Sequence, residues 1–77
     1  MTSLGFGMPK AGRAELRIYD LRGRLVATPF AGPAEPGLNV VKWQGRSDHG
    51  EVLHSGVYFA RLTSAAGTLS IKLSLSR

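Results

Sequence analysis

Apolar and polar residues alternate along much of this chain, which is the period-two pattern of strands that bury one face of a sheet. In residues 14–19 the alternation places Leu16 and Ile18 on the same face. Glu15 and Arg17 fall on the opposite face. The pattern therefore predicts a strand here, with Leu16 and Ile18 in the core.

The alternation is more regular in residues 69–75, where every second side chain is apolar. This pattern predicts a strand that buries one face, with Ile71 and Leu73 in the core. The polar positions that are expected to face outward are Ser70, Lys72 and Ser74.

Residues 56–63 are rich in β-branched and aromatic side chains, which favour strands. Tyr58 and Leu62 lie on the more apolar face of this segment, so we expect them in the core. Two shorter strands are predicted at residues 4–8 and 24–28.

Residues 38–43 also predict a strand, with Val41 and Trp43 on the same face. Because Trp43 is the largest side chain of the chain, we place that face inward. Trp43 should then pack near Leu16, Ile18 and Tyr58.

Turn-forming residues separate these segments. Asp20 and Gly23 indicate a tight hairpin, in which Gly23 supplies the positive φ that such a turn requires. Three prolines within residues 29–36 predict an irregular link that cannot be a central strand. The other expected turn residues, in and after a polar loop, are Gly45, Asp48, Gly50 and Gly56.

No segment has the periodicity of a helix. Short strands at intervals of roughly 8–12 residues, with turns between them, are typical of an all-β sandwich or barrel. With 77 residues, the chain is expected to form a single domain over residues 1–77. So small a core leaves little room for an enclosed substrate cavity.

The chain contains no cysteine, which excludes disulfides, zinc ribbons and cysteine nucleophiles. The longest unbroken apolar run, residues 57–60, is far shorter than the roughly 20 residues of a transmembrane helix. The first residues contain neither a basic region nor a long apolar segment, so we expect no N-terminal signal peptide.

Ten Lys and Arg residues against five Asp and Glu residues give a net charge of +5. The basic residues are spread along the chain, which favours a solvated basic surface. The alternative is a small basic nucleic-acid-binding β-barrel, which would need a contiguous basic face beside exposed aromatic side chains.

Residues capable of catalysis or metal binding do not form a recognisable set. His49 and His54 are two ligands at most, whereas a zinc site needs three or four. Ser55, His54 and Asp48 contain the groups of a catalytic triad, but nothing near them resembles a nucleophile elbow. We therefore expect a non-catalytic protein without a cofactor or a metal.

Four motifs in a fixed order resemble those of a known family. They are IYDLRGRLV at residues 18–26, PG at 36–37, WQGR at 43–46 and SGVYFARL at 55–62. This set resembles the FlgD-like Ig-fold domains, and the resemblance covers residues 4–77. It implies an all-β fold, a small Ig-like antiparallel β-sandwich of about six or seven strands.

The family takes its name from the Ig-like domain of the flagellar hook-capping protein. Similar modules form the C-terminal sorting domains of proteins exported by the type IX secretion system. The resemblance implies that this chain is the C-terminal sorting or attachment module of a larger secreted or cell-surface protein. The alternative that it leaves open is a structural Ig-like module of the hook-capping type.

Under either interpretation, the expected partners are proteins of a secretion or assembly machinery. Neither a small-molecule substrate nor nucleic acid is expected. The sorting interpretation places recognition on the last strand and the residues that follow it, because an edge strand can offer unpaired backbone groups. The expected recognition residues are Ser70, Lys72, Ser74 and Arg77.

The polar loop after Trp43 departs from the family pattern. Gln44 and Ser47 stand where the family often has aspartate. Calcium sites need several carboxylates or carbonyls in one place, and Asp48 with Glu51 falls short of that.

Overall fold

The computed structural model describes residues 2–76 and confirms the all-β, Ig-like sandwich. Within that range the structure has six strands and no helix, hence no helix able to cross a membrane. The strands are β1 (Thr2–Met8), β2 (Gly12–Tyr19), β3 (Leu25–Ala34), β4 (Gly37–Trp43), β5 (Gly56–Ser64) and β6 (Gly67–Leu75).

The six strands form two antiparallel sheets of unequal width. The larger sheet has the order β3-β2-β5-β6, and the smaller one pairs β1 with β4. Strands β3 and β4, which a two-residue link joins, contact each other, and the Phe6 ring of β1 lies 5.7 Å from the Phe30 ring of β3. The small sheet covers the inner face of the large sheet only in part: Leu75 of β6 is buried, whereas Leu69 and Ile71 of the same strand are exposed.

The core lies between the two sheets. Alternation along β2 and β5 turns one row of side chains from each strand inward, and Ala14 and Ile18 are completely buried. Val41 and Leu73 are half-buried and pack against this core. The buried side chains are Leu4, Phe6, Met8, Ala14, Leu16, Ile18, Ala27, Ala34, Trp43, Tyr58, Ala60, Leu62 and Leu75.

Ile71, which the alternation placed in the core, is 57% exposed. It lies on the inner face, opposite the buried Ala60 of β5. Its neighbour on that face, Leu69, is 67% exposed. The physical reason is the width of the small sheet, because two strands cannot cover the inner faces of four.

The irregular link expected within residues 29–36 is largely a strand. β3 continues through Pro29 and Pro33 to Ala34. It lies at the edge of the large sheet, where a residue without an N–H breaks no ladder between two neighbours. Its register with β2 shifts between Leu16 and Ile18 and again between Ile18 and Tyr19.

Several of the predicted turn glycines have the positive φ that turns require. Gly23, Gly45 and Gly50 have φ values of 82°, 72° and 84°, in the left-handed region that favours glycine. Gly56, which was expected in a turn, is the first residue of β5 and pairs with Leu75.

Candidate protein-interaction surface

Strand β6 forms a bare edge of the large sheet. Among the described residues it pairs only with β5, in an unbroken register from Leu75 to Gly67. Proteins usually protect such edges with prolines, bulges or several charges. β6 has no proline, and Lys72 is its only charged residue. Its unpaired N–H and C=O groups can therefore accept another strand.

The opposite edge of the same sheet is covered. The backbone N–H of Asp48 donates to the carbonyl of Val26 at 3.2 Å. The N–H of Thr28 in turn donates to Asp48 Oδ1 at 2.8 Å. The loop between β4 and β5 thus satisfies groups of β3 as a neighbouring strand would. The contrast leaves β6 as the accessible edge of the large sheet.

The sequence predicts Asp48 as a turn residue, without a long-range partner. Its bond to Thr28 joins residues 20 apart in the chain, and no local signal could have indicated it. Within its own loop, the N–H of Gly50 donates to the carbonyl of Ser47 at 2.9 Å. The loop is therefore closed locally and anchored to β3 at long range.

An apolar groove of about 220 Å³ lies beside the β6 edge. Leu69 and Ile71 form one wall, and the backbone and side chains of β1 form the other. Neither β1 nor the inner face of β6 contributes a charge to it. The lining residues are Leu4, Gly5, Phe6, Gly7, Leu16, Ala60, Leu62, Leu69 and Ile71.

The polar face of β6 points outward. Ser70, Lys72 and Ser74 are all exposed. Arg77, the fourth expected recognition residue, lies outside the described residues. The recognition role of all four stays a prediction.

The outer face of the large sheet combines basic and aromatic side chains. Arg17 of β2 lies directly opposite Arg61 of β5. Phe59 lies between Tyr19 on one side and Lys72 on the other. This face therefore has the composition that the nucleic-acid-binding alternative requires.

Several of these groups already have partners within the domain. The Arg61 guanidinium carbon lies 5.2 Å from the centre of the Tyr19 ring, a cation–π contact. Arg17 Nη2 donates to Glu15 Oε2 at 2.7 Å. The side-chain hydrogen bond with Tyr19 and the charge of Glu15 raise the pKa of Arg17 above its ordinary value. Arg61 thus occupies one face of the Tyr19 ring.

Asp20 stabilises the β2–β3 hairpin. Its Oδ1 accepts the backbone N–H groups of Arg22 and Arg24, both at 2.9 Å. The Arg24 N–H and the Arg24 guanidinium hold the pKa of the Asp20 carboxyl below its ordinary value. The N–H of Gly23 donates to the Asp20 carbonyl at 3.0 Å and closes the turn.

The residues considered for catalysis or metal binding lie in the loop between β4 and β5. His49 and His54 are exposed in the β4–β5 loop. Residues 2–76 contain no group of three or more side chains placed to hold a metal ion. Oδ1 of the Asp48 carboxylate accepts the backbone N–H of Thr28 at 2.8 Å.

The fold and its exposed features define a class of protein. This is a small Ig-like β-sandwich that presents a strand edge, an open apolar groove and a charged sheet face. A family model described as the FlgD Ig-like domain matches residues 2–68. The chain belongs to this family. The match ends near the start of β6, so most of the bare edge lies beyond it. The comparisons with curated proteins and with solved structures gave no match.

Proposed function

We propose that this domain is a non-catalytic structural module of the flagellar hook-capping type, carried by a larger protein. Its role is to hold that protein in an assembly through protein–protein contacts. The observation that carries the proposal is the match of residues 2–68 to the FlgD Ig-like domain. The bare β6 edge supports it, because such an edge gives a structural module a place to contact a neighbour.

Strand pairing supplies the chemistry of such a contact. Main-chain hydrogen bonds contribute the affinity, and alternate side chains contribute the selectivity. On β6, Leu69 and Ile71 present an apolar row to one side of the sheet. Ser70, Lys72 and Ser74 present a polar row to the other.

The polar row favours a second candidate function. In a sorting module, an export machinery of the type IX kind would read these outward side chains on the edge strand. The larger protein would then be secreted or attached to the cell surface. This function uses the same strand but places recognition on the side chains of its outer face.

An in-frame deletion of this domain from the protein that carries it distinguishes the two functions. A structural module predicts that the shortened protein still reaches its normal location but no longer assembles there. A sorting module predicts that the shortened protein is not exported. Normal location together with normal assembly would refute both proposals.

Substitution tests the sorting function more cleanly than truncation. Leu75 is buried, so removing residues 74–77 would also remove part of the core. Replacing Ser70, Lys72 and Ser74 with aspartate leaves the core intact, and a sorting module should then fail to export a fused cargo. The matched control replaces the exposed His49 and His54 with alanine and should leave export unchanged.

A further inference from the structure

We infer that the β6 edge is a homodimer interface, in which β6 of a second copy of this chain pairs antiparallel with it. The two large sheets then join into one continuous sheet across a twofold axis. The inference rests on the proposed structural role and names the surface and the partner that this role uses.

The two edges of the large sheet differ, and among the described residues only the β6 edge is open to pairing with another strand. The β3 edge contains Pro29 and Pro33 and is covered by the loop that carries Asp48. The β6 edge has an unbroken register and no such cover among the described residues. An edge of this kind is a template for pairing with another chain.

The sequence of β6 is complementary to itself in one register. The strand Gly67–Leu75 is centred on Ile71, so full overlap of two copies places Ile71 opposite Ile71 of the second copy. Lys72 then lies opposite Ser70 of the second copy. Full overlap would form roughly eight to ten main-chain hydrogen bonds between the copies.

The neighbouring symmetric registers are less favourable. Moving the axis to Lys72 would place two ammonium groups directly opposite each other, which destabilises a strand pair. Moving it to Ser70 would leave the last two residues of β6 unpaired in each copy. Charge and length therefore select the axis at Ile71.

The same register brings the exposed apolar side chains together. Leu69 lies opposite Leu73 of the second copy, and the two Ile71 side chains meet at the axis. Both lie on the inner face of their sheet. The grooves of the two copies then open into one shared apolar surface, in which each copy shields the flank of the other.

Cysteine cross-linking of the purified 77-residue chain tests this register directly, because the chain has no cysteine of its own. Residues directly opposite in an antiparallel pair have Cα atoms about 4.5–5.5 Å apart, which is within the range of about 4.4–6.8 Å that a disulfide spans. Ile71→Cys should therefore form a disulfide-linked dimer under mild oxidation. In the matched control, Ser70→Cys, residue 70 faces Lys72 of the second copy and lies about 7–8 Å from residue 70 of that copy, so most of the cross-linking should be lost.

Sedimentation velocity over a range of concentrations measures the dimer without a cross-link. The unmodified chain should show a concentration-dependent dimer. Ile71→Lys places like charges at the axis and should remove it, while the 57% exposure of Ile71 lets the domain stay folded by circular dichroism. Val40→Lys, at an equally exposed apolar position on β4, should leave the dimer intact.

Three results would overturn the inference. One is a monomer at all concentrations with no preferential cross-linking of Ile71→Cys. Another is equal cross-linking of Ile71→Cys and Ser70→Cys. The third is loss of the dimer in Val40→Lys but not in Ile71→Lys. None of them changes the deletion phenotype that tests the proposed function.

Discussion

Replacing Trp43 with alanine should remove much of the stability of this domain. Trp43 is 6% exposed at the end of β4, and its indole Nε1–H donates to the carbonyl of Arg46 at 3.1 Å. The substitution removes the largest buried side chain, and the short strands around it cannot close the resulting cavity. It also removes the bond that holds the β4–β5 loop against the end of β4.

The expected loss follows from these contacts. Replacing a buried tryptophan with alanine lowers the free energy of unfolding by about 3–5 kcal/mol. A domain of this length has a total unfolding free energy of about 4–12 kcal/mol, at 0.05–0.15 kcal/mol per residue. Trp43→Phe keeps most of the ring and loses the indole hydrogen bond, whose net contribution is about 0.5–1.5 kcal/mol. The alanine variant should therefore be much less stable than the phenylalanine variant.

Urea unfolding followed by far-UV circular dichroism measures both variants, since the fluorescence of the single tryptophan is lost in each. Fluorescence of the unmodified chain gives an independent check, because a buried indole emits at shorter wavelength than one in water. A loss below about 1 kcal/mol for Trp43→Ala, which is ordinary for any substitution, would refute the argument. Emission at the wavelength of free indole would refute it as well.

Three further predictions concern turns and loops. Gly23→Val should lower the free energy of unfolding by more than about 1 kcal/mol, because a β-branched residue is strained at a φ of 82°, and denaturant unfolding measures this. Asp48→Ala should lower the free energy of unfolding by about 0.5–1.5 kcal/mol and accelerate amide hydrogen exchange at Thr28. Asp48→Asn keeps Oδ1 and should have neither effect. The lowered pKa of Asp20 means that its contribution to stability is complete above its ordinary pKa of 3.8 and is lost as the pH falls through the lower folded value. As the pH falls, the free energy of unfolding should therefore decrease less in Asp20→Asn than in the unmodified chain. An equal decrease in both would contradict the role of this carboxylate.

The alternation of residues predicts the direction of side chains well, because successive side chains of a strand must point to opposite faces. Leu16 and Ile18 of β2 lie on the face that the pattern indicated, and the structure buries both. Ile71 also points to the expected face. It is nevertheless exposed, because burial depends on what covers a face, and the pattern of β6 contains no information on the width of the opposite sheet.

The candidate interaction surface likewise combines features that the sequence predicts with features that only the tertiary structure decides. The sequence indicates β6 as an apolar-polar alternating strand with Ser70, Lys72 and Ser74 on its polar side. That β6 ends up at a bare edge follows from the strand order, which long-range pairing sets. The protection of the other edge by Asp48 depends on a contact with Thr28, which a local pattern cannot indicate.

The sequence by itself determined the strands with regular alternation, the hairpin at Gly23 and the all-β class, because these follow from local alternation and from the backbone freedom of single residues. The tertiary structure alone decided how the strands are ordered, which of their faces are covered and which edge stays open. It placed two strands over four, continued β3 through Pro29 and left Leu69 and Ile71 beside an open groove. Those outcomes depend on contacts between residues far apart in the chain, and the exposed edge on which the proposed interface rests exists only through them.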